Sequence, residues 1–266
     1  MSNLLARVLT ATALGGFVVF GTLYLPLGVM QAFYALLGIG AALEFARLAG
    51  PVSRLEAGLY ALGVMALAVL GARFAPLALL WLGVAWWLVA TAWVMRYQAR
   101  GAPAPRSRAL LFGVGLLCLV PALVALHSLL LRDPKLLLAL FALVWSADVF
   151  AYAGGRRFGQ RKLASRVSPG KTWEGFASAL LGILAVALAG SAVLPVKGGL
   201  TLLALALATF LASVVGDLLE SLLKRLRGVK DSGTLLPGHG GVLDRVDSLL
   251  AAAPVFTLGL LLAARA

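Results

Sequence analysis

Long apolar stretches alternate with short polar breaks along the whole chain. The apolar runs cover Leu9–Tyr24, Gly28–Leu48, Ala57–Gly71, Pro76–Val94, Ala109–Leu130, Leu136–Ala153, Trp173–Leu194, Leu200–Leu222 and Leu249–Ala263. A helix that crosses a bilayer needs about 20 mostly apolar residues. The pattern therefore predicts an all-α, polytopic integral membrane protein with about nine transmembrane helices, the third and ninth runs being short. Arg7 ahead of the first run imitates a cleavable signal peptide. The second run follows almost at once, however, so the first is expected to be a retained helix.

Composition agrees with the pattern. The chain is 62% hydrophobic and 12% charged, where soluble domains carry about 25% charged residues. The net charge of +13 raises the question of nucleic acid, but the basic residues are dealt out loop by loop and form no soluble basic domain. Alternate loops hold Arg7; Arg47 and Arg54; Arg96, Arg100, Arg106 and Arg108; Arg156, Arg157, Arg161, Lys162, Arg166 and Lys171; and Lys224, Arg225, Arg227, Lys230 and Arg245. The other side keeps only Arg73, Arg132, Lys135, Lys197 and Arg265. The positive-inside rule then gives an N-in, C-out protein of the cytoplasmic membrane, surrounded by membrane lipids, with its two long basic loops (154–172 and 223–248) and its active site facing the cytoplasm. Cys118 is the single cysteine and sits inside an apolar run, so it is expected to pack as a small hydrophobe and not to bridge or bind zinc.

Acidic residues divide the chain. Residues 1–135 contain only Glu44, Glu56 and Asp133, and are expected to form scaffold helices. Residues 136–266 hold the other seven acids and are expected to form the catalytic region. An ionised side chain within a span is costly, about 2.5–3.5 kcal/mol for Asp at a helix centre, and marks function by default. Asp148 and Asp217 stand near the basic-loop ends of the sixth and eighth runs. On a helix, Asp217, Glu220, Ser221 and Lys224 share one face, which can hold a cation and a phosphate together. Asp244 and Asp247 repeat the three-residue spacing at the start of the last helix. Carboxylates without Cys or His nearby suit a hard cation such as Mg²⁺. Ion pairing of Asp244 or Asp247 with Arg245 or Lys224 is the alternative.

Between these helices, Pro237-Gly238-His239-Gly240-Gly241 exposes backbone N–H groups that can cradle an anion, flanked by Lys230 and Arg245. His239 either donates to a phosphate or braces the turn. In the other basic loop, Ser168-Pro169-Gly170-Lys171-Thr172 precedes Trp173 and Glu174; it is expected to start a helix, with Ser168 or Thr172 as cap and Lys171 turned toward an anion. The spacing of a P-loop is absent.

Ser221–Asp247, SLLKRLRGVKDSGTLLPGHGGVLDRVD, together with GDLLES before it, ADVFAYAGGRRFG from Ala147 and SPGKTWEG from Ser168, resembles the phosphatidate cytidylyltransferases, or CDP-diacylglycerol synthases, over about residues 145–250. One departure is Val149-Phe150, where the family often carries a small or hydroxylated pair. The resemblance implies Mg²⁺-dependent transfer of the cytidylyl group of CTP to phosphatidate within the bilayer, giving CDP-diacylglycerol and pyrophosphate, in a homodimer with no nucleic-acid partner. Asp217 and Asp244 are assigned to the metal, which leaves room for a second cation. Asp148, Asp247 and Lys224 join them in the catalytic set, and Ser168, Lys171, Ser221, Arg225, Lys230, Asp231, His239, Gly240, Gly241 and Arg245 form the substrate-binding set. Other CTP-dependent lipid transferases or kinases, of the polyprenol or phytol kinase kind, and an anion or lipid transporter are the competing functions.

Overall fold

The computed structural model describes residues 3–101, 107–192, 196, 198–233 and 240–264. Among these residues the chain forms nine α-helices: α1 (Asn3–Tyr24), α2 (Leu27–Ala49), α3 (Arg54–Phe74), α4 (Pro76–Arg100), α5 (Arg108–Arg132), α6 (Pro134–Phe158), α7 (Trp173–Ala189), α8 (Gly199–Arg227) and α9 (Leu243–Ala263). Each falls on one of the predicted runs. Seven of them, α2 to α6 with α8 and α9, are long and apolar enough to cross a membrane, while α7 and the apolar part of α1 are shorter. The chain is thus an all-α polytopic membrane protein.

Local chemistry sets the helix ends. Ser53 and Glu56 form a reciprocal capping box at the start of α3, Ser107 caps α5, and Asp133 caps α6 ahead of Pro134, each supplying an acceptor for amides that a first turn leaves unpaired. At its far end α8 is stopped by Gly228, whose φ of 69° suits glycine and turns the chain into the following loop. With 29 residues, α8 is about 43 Å long at 1.5 Å per residue. It therefore outruns a hydrocarbon core of about 30 Å, and its last turns carry Lys224, Arg225 and Arg227 while still packing Leu222 and Leu223 into the bundle.

The loop expected over 154–172 differs from its reading. Its first residues continue α6 to Phe158, and the rest folds back as a small antiparallel hairpin of β1 (Lys162–Ala164) and β2 (Ser168–Thr172). SPGKT itself is a strand, since Pro169 and Gly170 resist helix, and it leads directly into α7 at Trp173, the helix start expected there. Thr172 does cap α7, accepting from the Gly175 N–H at 3.1 Å, whereas Ser168 pairs with Ala164 across the hairpin.

Packing does not separate the two halves of the chain. One buried cluster joins Phe45 of α2, Val64 of α3, Trp87 of α4 and Cys118 of α5 to Leu219 and Leu222 of α8. A second joins Met30, Leu80 and Leu129 to Phe141, Ile183, Phe210 and Phe256. Cys118 is buried and accepts from Trp86 Nε1 at 3.2 Å, in keeping with a packing role. The innermost helices are α9 and α5, with 61% and 56% of their most apolar windows buried, against 28% for α3 and α4. Leu62, Leu88 and Leu181 point outward, as lipid-facing residues would.

Candidate active site

The hairpin after α6, the last turns of α2, α4 and α8 and the start of α9 gather at one end of the bundle. There a cavity of about 410 Å³ opens between α6, α7, α8 and β2. Ala151, Phe176, Phe210 and Val214 give it an apolar wall; Asp148, Tyr152, Arg156, Lys171 and Asp217 give it charge and hydrogen-bonding capacity.

Three elements bring the charged groups together. On α8, Asp217 Oδ2 lies 2.6 Å from Lys171 Nζ of β2, and Asp217 Oδ1 accepts from Ser221 Oγ at 3.3 Å. Asp148 of α6 faces the same cavity. Close approach of α8 and α9 depends on Gly216, where any Cβ would strike the backbone carbonyl of Asp247. Half-buried Asp247 thereby comes within electrostatic reach of Asp217, Glu220 and Asp148, and its Oδ1 accepts from the Ser248 N–H at 2.6 Å.

Two turns beyond Asp217 along α8, Lys224 ties a second knot. Its Nζ is 2.6 Å from Glu220 Oε2 and 2.6 Å from Asp244 Oδ1. The other Asp244 oxygen accepts from the Ser232 N–H at 3.0 Å and the Gly241 N–H at 2.8 Å. Asp244 therefore pairs with Lys224, as the ion-pair alternative has it, and does not line the cavity that Asp217 lines. Among the described residues no three acidic, His or Cys side chains form a ready metal cage. Mg²⁺ does not demand one, since it commonly takes one or two carboxylates and completes its shell with water and substrate phosphates. Asp217 with Asp148 fits that donor set, and a lysine ammonium already neutralises Asp217.

The remaining predicted residues are spread around this centre. Arg225 donates from Nε to the Val167 carbonyl at 3.3 Å, tying α8 to the hairpin. Lys230 and Asp231 are exposed on the loop after α8, and Arg245 is exposed on the first turn of α9. Gly240 adopts a φ of 80° beside Asp244, a left-handed conformation that glycine takes without strain. His239 lies outside the described residues.

Sequence reasoning missed two groups. Arg156 and Tyr152 line the cavity, with Arg156 NH1 donating to Tyr152 Oη at 3.0 Å. Their spacing of four and eight residues from Asp148 places them on one helical face and was the available signal. Glu44, assigned to the scaffold, is fully buried against the loop that carries Gly241. An acid inside an apolar run was its signal.

An integral membrane protein of bundled helices with a charged, half-apolar cavity at one end is the class that fold and site define. The sequence pattern of the cytidylyltransferase family matches residues 5–263, and the chain belongs to that family. Among its relatives is a phosphatidate cytidylyltransferase of Pseudomonas aeruginosa, 45% identical over 262 residues that cover 94% of this chain and 93% of the relative. One from Haemophilus influenzae is 50% identical over 127 residues, 46% of this chain and 44% of the relative. The chloroplastic phosphatidate cytidylyltransferase 4 of Arabidopsis thaliana is 48% identical over 111 residues, covering 41% and 28%.

Proposed function

We propose that this protein transfers the cytidylyl group of CTP to phosphatidate, forming CDP-diacylglycerol and pyrophosphate. The observation that carries the reading is the cavity itself, whose apolar wall suits an acyl-bearing substrate and whose cations Lys171 and Arg156 suit phosphates. Relatives named for this acceptor favour it over the polyprenol and transporter alternatives.

A phosphate oxygen of phosphatidate attacks the α-phosphorus of CTP; the new phosphoanhydride bond forms as the bond to the β-phosphate breaks, and pyrophosphate leaves with that electron pair. With a second pKa near ~6 the attacking monoester is largely ionised at neutral pH, so a strong general base is not needed. Lys171 and Arg156 offset charge on the phosphates and orient them, in the manner expected of phosphoryl-type transfers. Lys224 holds Asp244 and Glu220 so that the first turn of α9 keeps its place beside α8. Mg²⁺ held by Asp217 with Asp148 would supply Lewis-acid neutralisation of phosphate charge. Asp217 would take it up as Lys171 turns from its carboxylate to the phosphates, and Asp244 would join only by giving up Lys224. The wealth of Arg and Lys at the site's end of the bundle supports a cytoplasmic orientation.

Pyrophosphate release by the purified protein in lipid nanodiscs, given CTP and Mg²⁺ with or without phosphatidate, tests the reading. Release is expected only with phosphatidate, is expected to disappear on chelation, and is expected to fall by about 10² or more in Asp217→Asn, the size usual for losing one electrostatic stabiliser. CTP turnover that ignores phosphatidate, or a fully active Asp217→Asn, would overturn it.

A further inference from the structure

We infer that Glu44 of α2 is a positioning residue for the site, clasping both ends of the loop between α8 and α9; the inference rests on the function proposed above. The helix it serves lacks an end of its own. Val242 at the N-cap of α9 provides no side-chain cap, although the first amides of any helix need an acceptor. Glu44 supplies that acceptor from 199 residues away, its Oε2 accepting from the Leu243 N–H at 2.8 Å. The same oxygen accepts from Ser232 Oγ at 3.2 Å on the other side of the loop.

The fit is close on both flanks. A Cβ on either Gly233 or Gly241 would overlap the Glu44 carboxyl group, so both glycines are there to let backbone reach it. The side chain has 0% exposure, and among the described residues its Oε1 has no hydrogen-bond partner. A buried acid on a membrane-length helix is retained at a cost, and here its contacts are with the loop. Through them α2 fixes Gly241, whose N–H holds Asp244, and so fixes the register in which Asp244 and Asp247 meet α8. Glu44 acts at one remove: the loop ends it holds, Ser232 and Gly241, both donate backbone N–H groups to Asp244, which pairs with Lys224 among the charged groups proposed to meet the nucleotide.

The test uses the full-length protein in nanodiscs, with Glu44→Ala, Glu44→Gln and Ser232→Ala compared with Met30→Ala, a core truncation in the same helix. Loss of the cap and clasp in Glu44→Ala is expected to speed amide exchange in residues 230–233 and 240–243 about tenfold, the factor set by losing a helix cap. Exchange in the hairpin 162–172 is expected to stay unchanged. KM for CTP is expected to rise while KM for phosphatidate holds. Glu44→Gln keeps an acceptor for Leu243 and is expected to restore most of both effects, with Ser232→Ala intermediate. Met30→Ala is expected to lower the melting temperature without that pattern. Exchange and CTP KM within twofold of wild type in Glu44→Ala, or changes no different from those of Met30→Ala, would overturn the inference. Should Glu44→Ala fail to fold, Ser232→Ala with wild-type exchange and wild-type CTP KM would do the same. A wild-type protein without CTP turnover would sink the functional reading alone, since the exchange result stands apart from activity.

Discussion

Replacing Lys224 with methionine keeps most of the side-chain stem and removes the charge that two carboxylates share. Side-chain exposures are 15% for Lys224, 4% for Glu220 and 9% for Asp244, with both N···O distances at 2.6 Å. At an effective dielectric of about 20, a pair of unit charges roughly 4 Å apart interacts by about 4 kcal/mol. Breaking a buried pair by removing one partner costs about 3–5 kcal/mol because the other charge is left uncompensated. The two carboxylates are not equally exposed to that loss. Asp244 keeps the Ser232 and Gly241 amides, while Glu220 keeps no hydrogen-bond donor among the described residues. Most of the penalty therefore belongs to Glu220. Lys224→Met is expected to lose about 3–5 kcal/mol in equilibrium unfolding by SDS in mixed micelles, and adding Glu220→Gln is expected to return about 2 kcal/mol of it. A loss under about 1 kcal/mol, the value of a surface pair, or no coupling between the two substitutions in a double-mutant cycle, would refute the reasoning.

Gly216→Ala drives a methyl group into the Asp247 carbonyl, with Ala251 Cβ and Ser248 Cα both 3.2 Å away; a loss of about 1–3 kcal/mol in thermal unfolding is expected. Gly63→Ala, in open space, is expected to be neutral or to gain up to about 1 kcal/mol, and equal effects at the two sites would argue against close α8–α9 packing. Gln98 at the end of α4 accepts from the Arg166 N–H at 2.9 Å and donates to Ser165 Oγ at 3.2 Å. Gln98→Ala is expected to speed proteolysis within 159–172 while leaving the melting temperature nearly unchanged, and unaltered cleavage would show that the hairpin is held by other contacts.

The apolar runs alone determined the helices, because a span is a local property of about 20 consecutive residues and each of the nine runs became a helix. Helical periodicity likewise put Asp217, Ser221 and Lys224 on one face, and the Asp217–Ser221 and Glu220–Lys224 contacts are of that four-residue kind. The hairpin escaped because five residues rich in turn formers read equally as a helix start or as a strand until a partner strand is known. The partners of the charges were decided only in three dimensions. Lys171 meets Asp217 and Lys224 meets Asp244 across separate elements, where spacing along the chain carries no information. Glu44 shows the limit most plainly. Its apolar surroundings advertised a buried acid, but that its carboxylate caps a helix beginning at Leu243 depends on how α2 packs against α9.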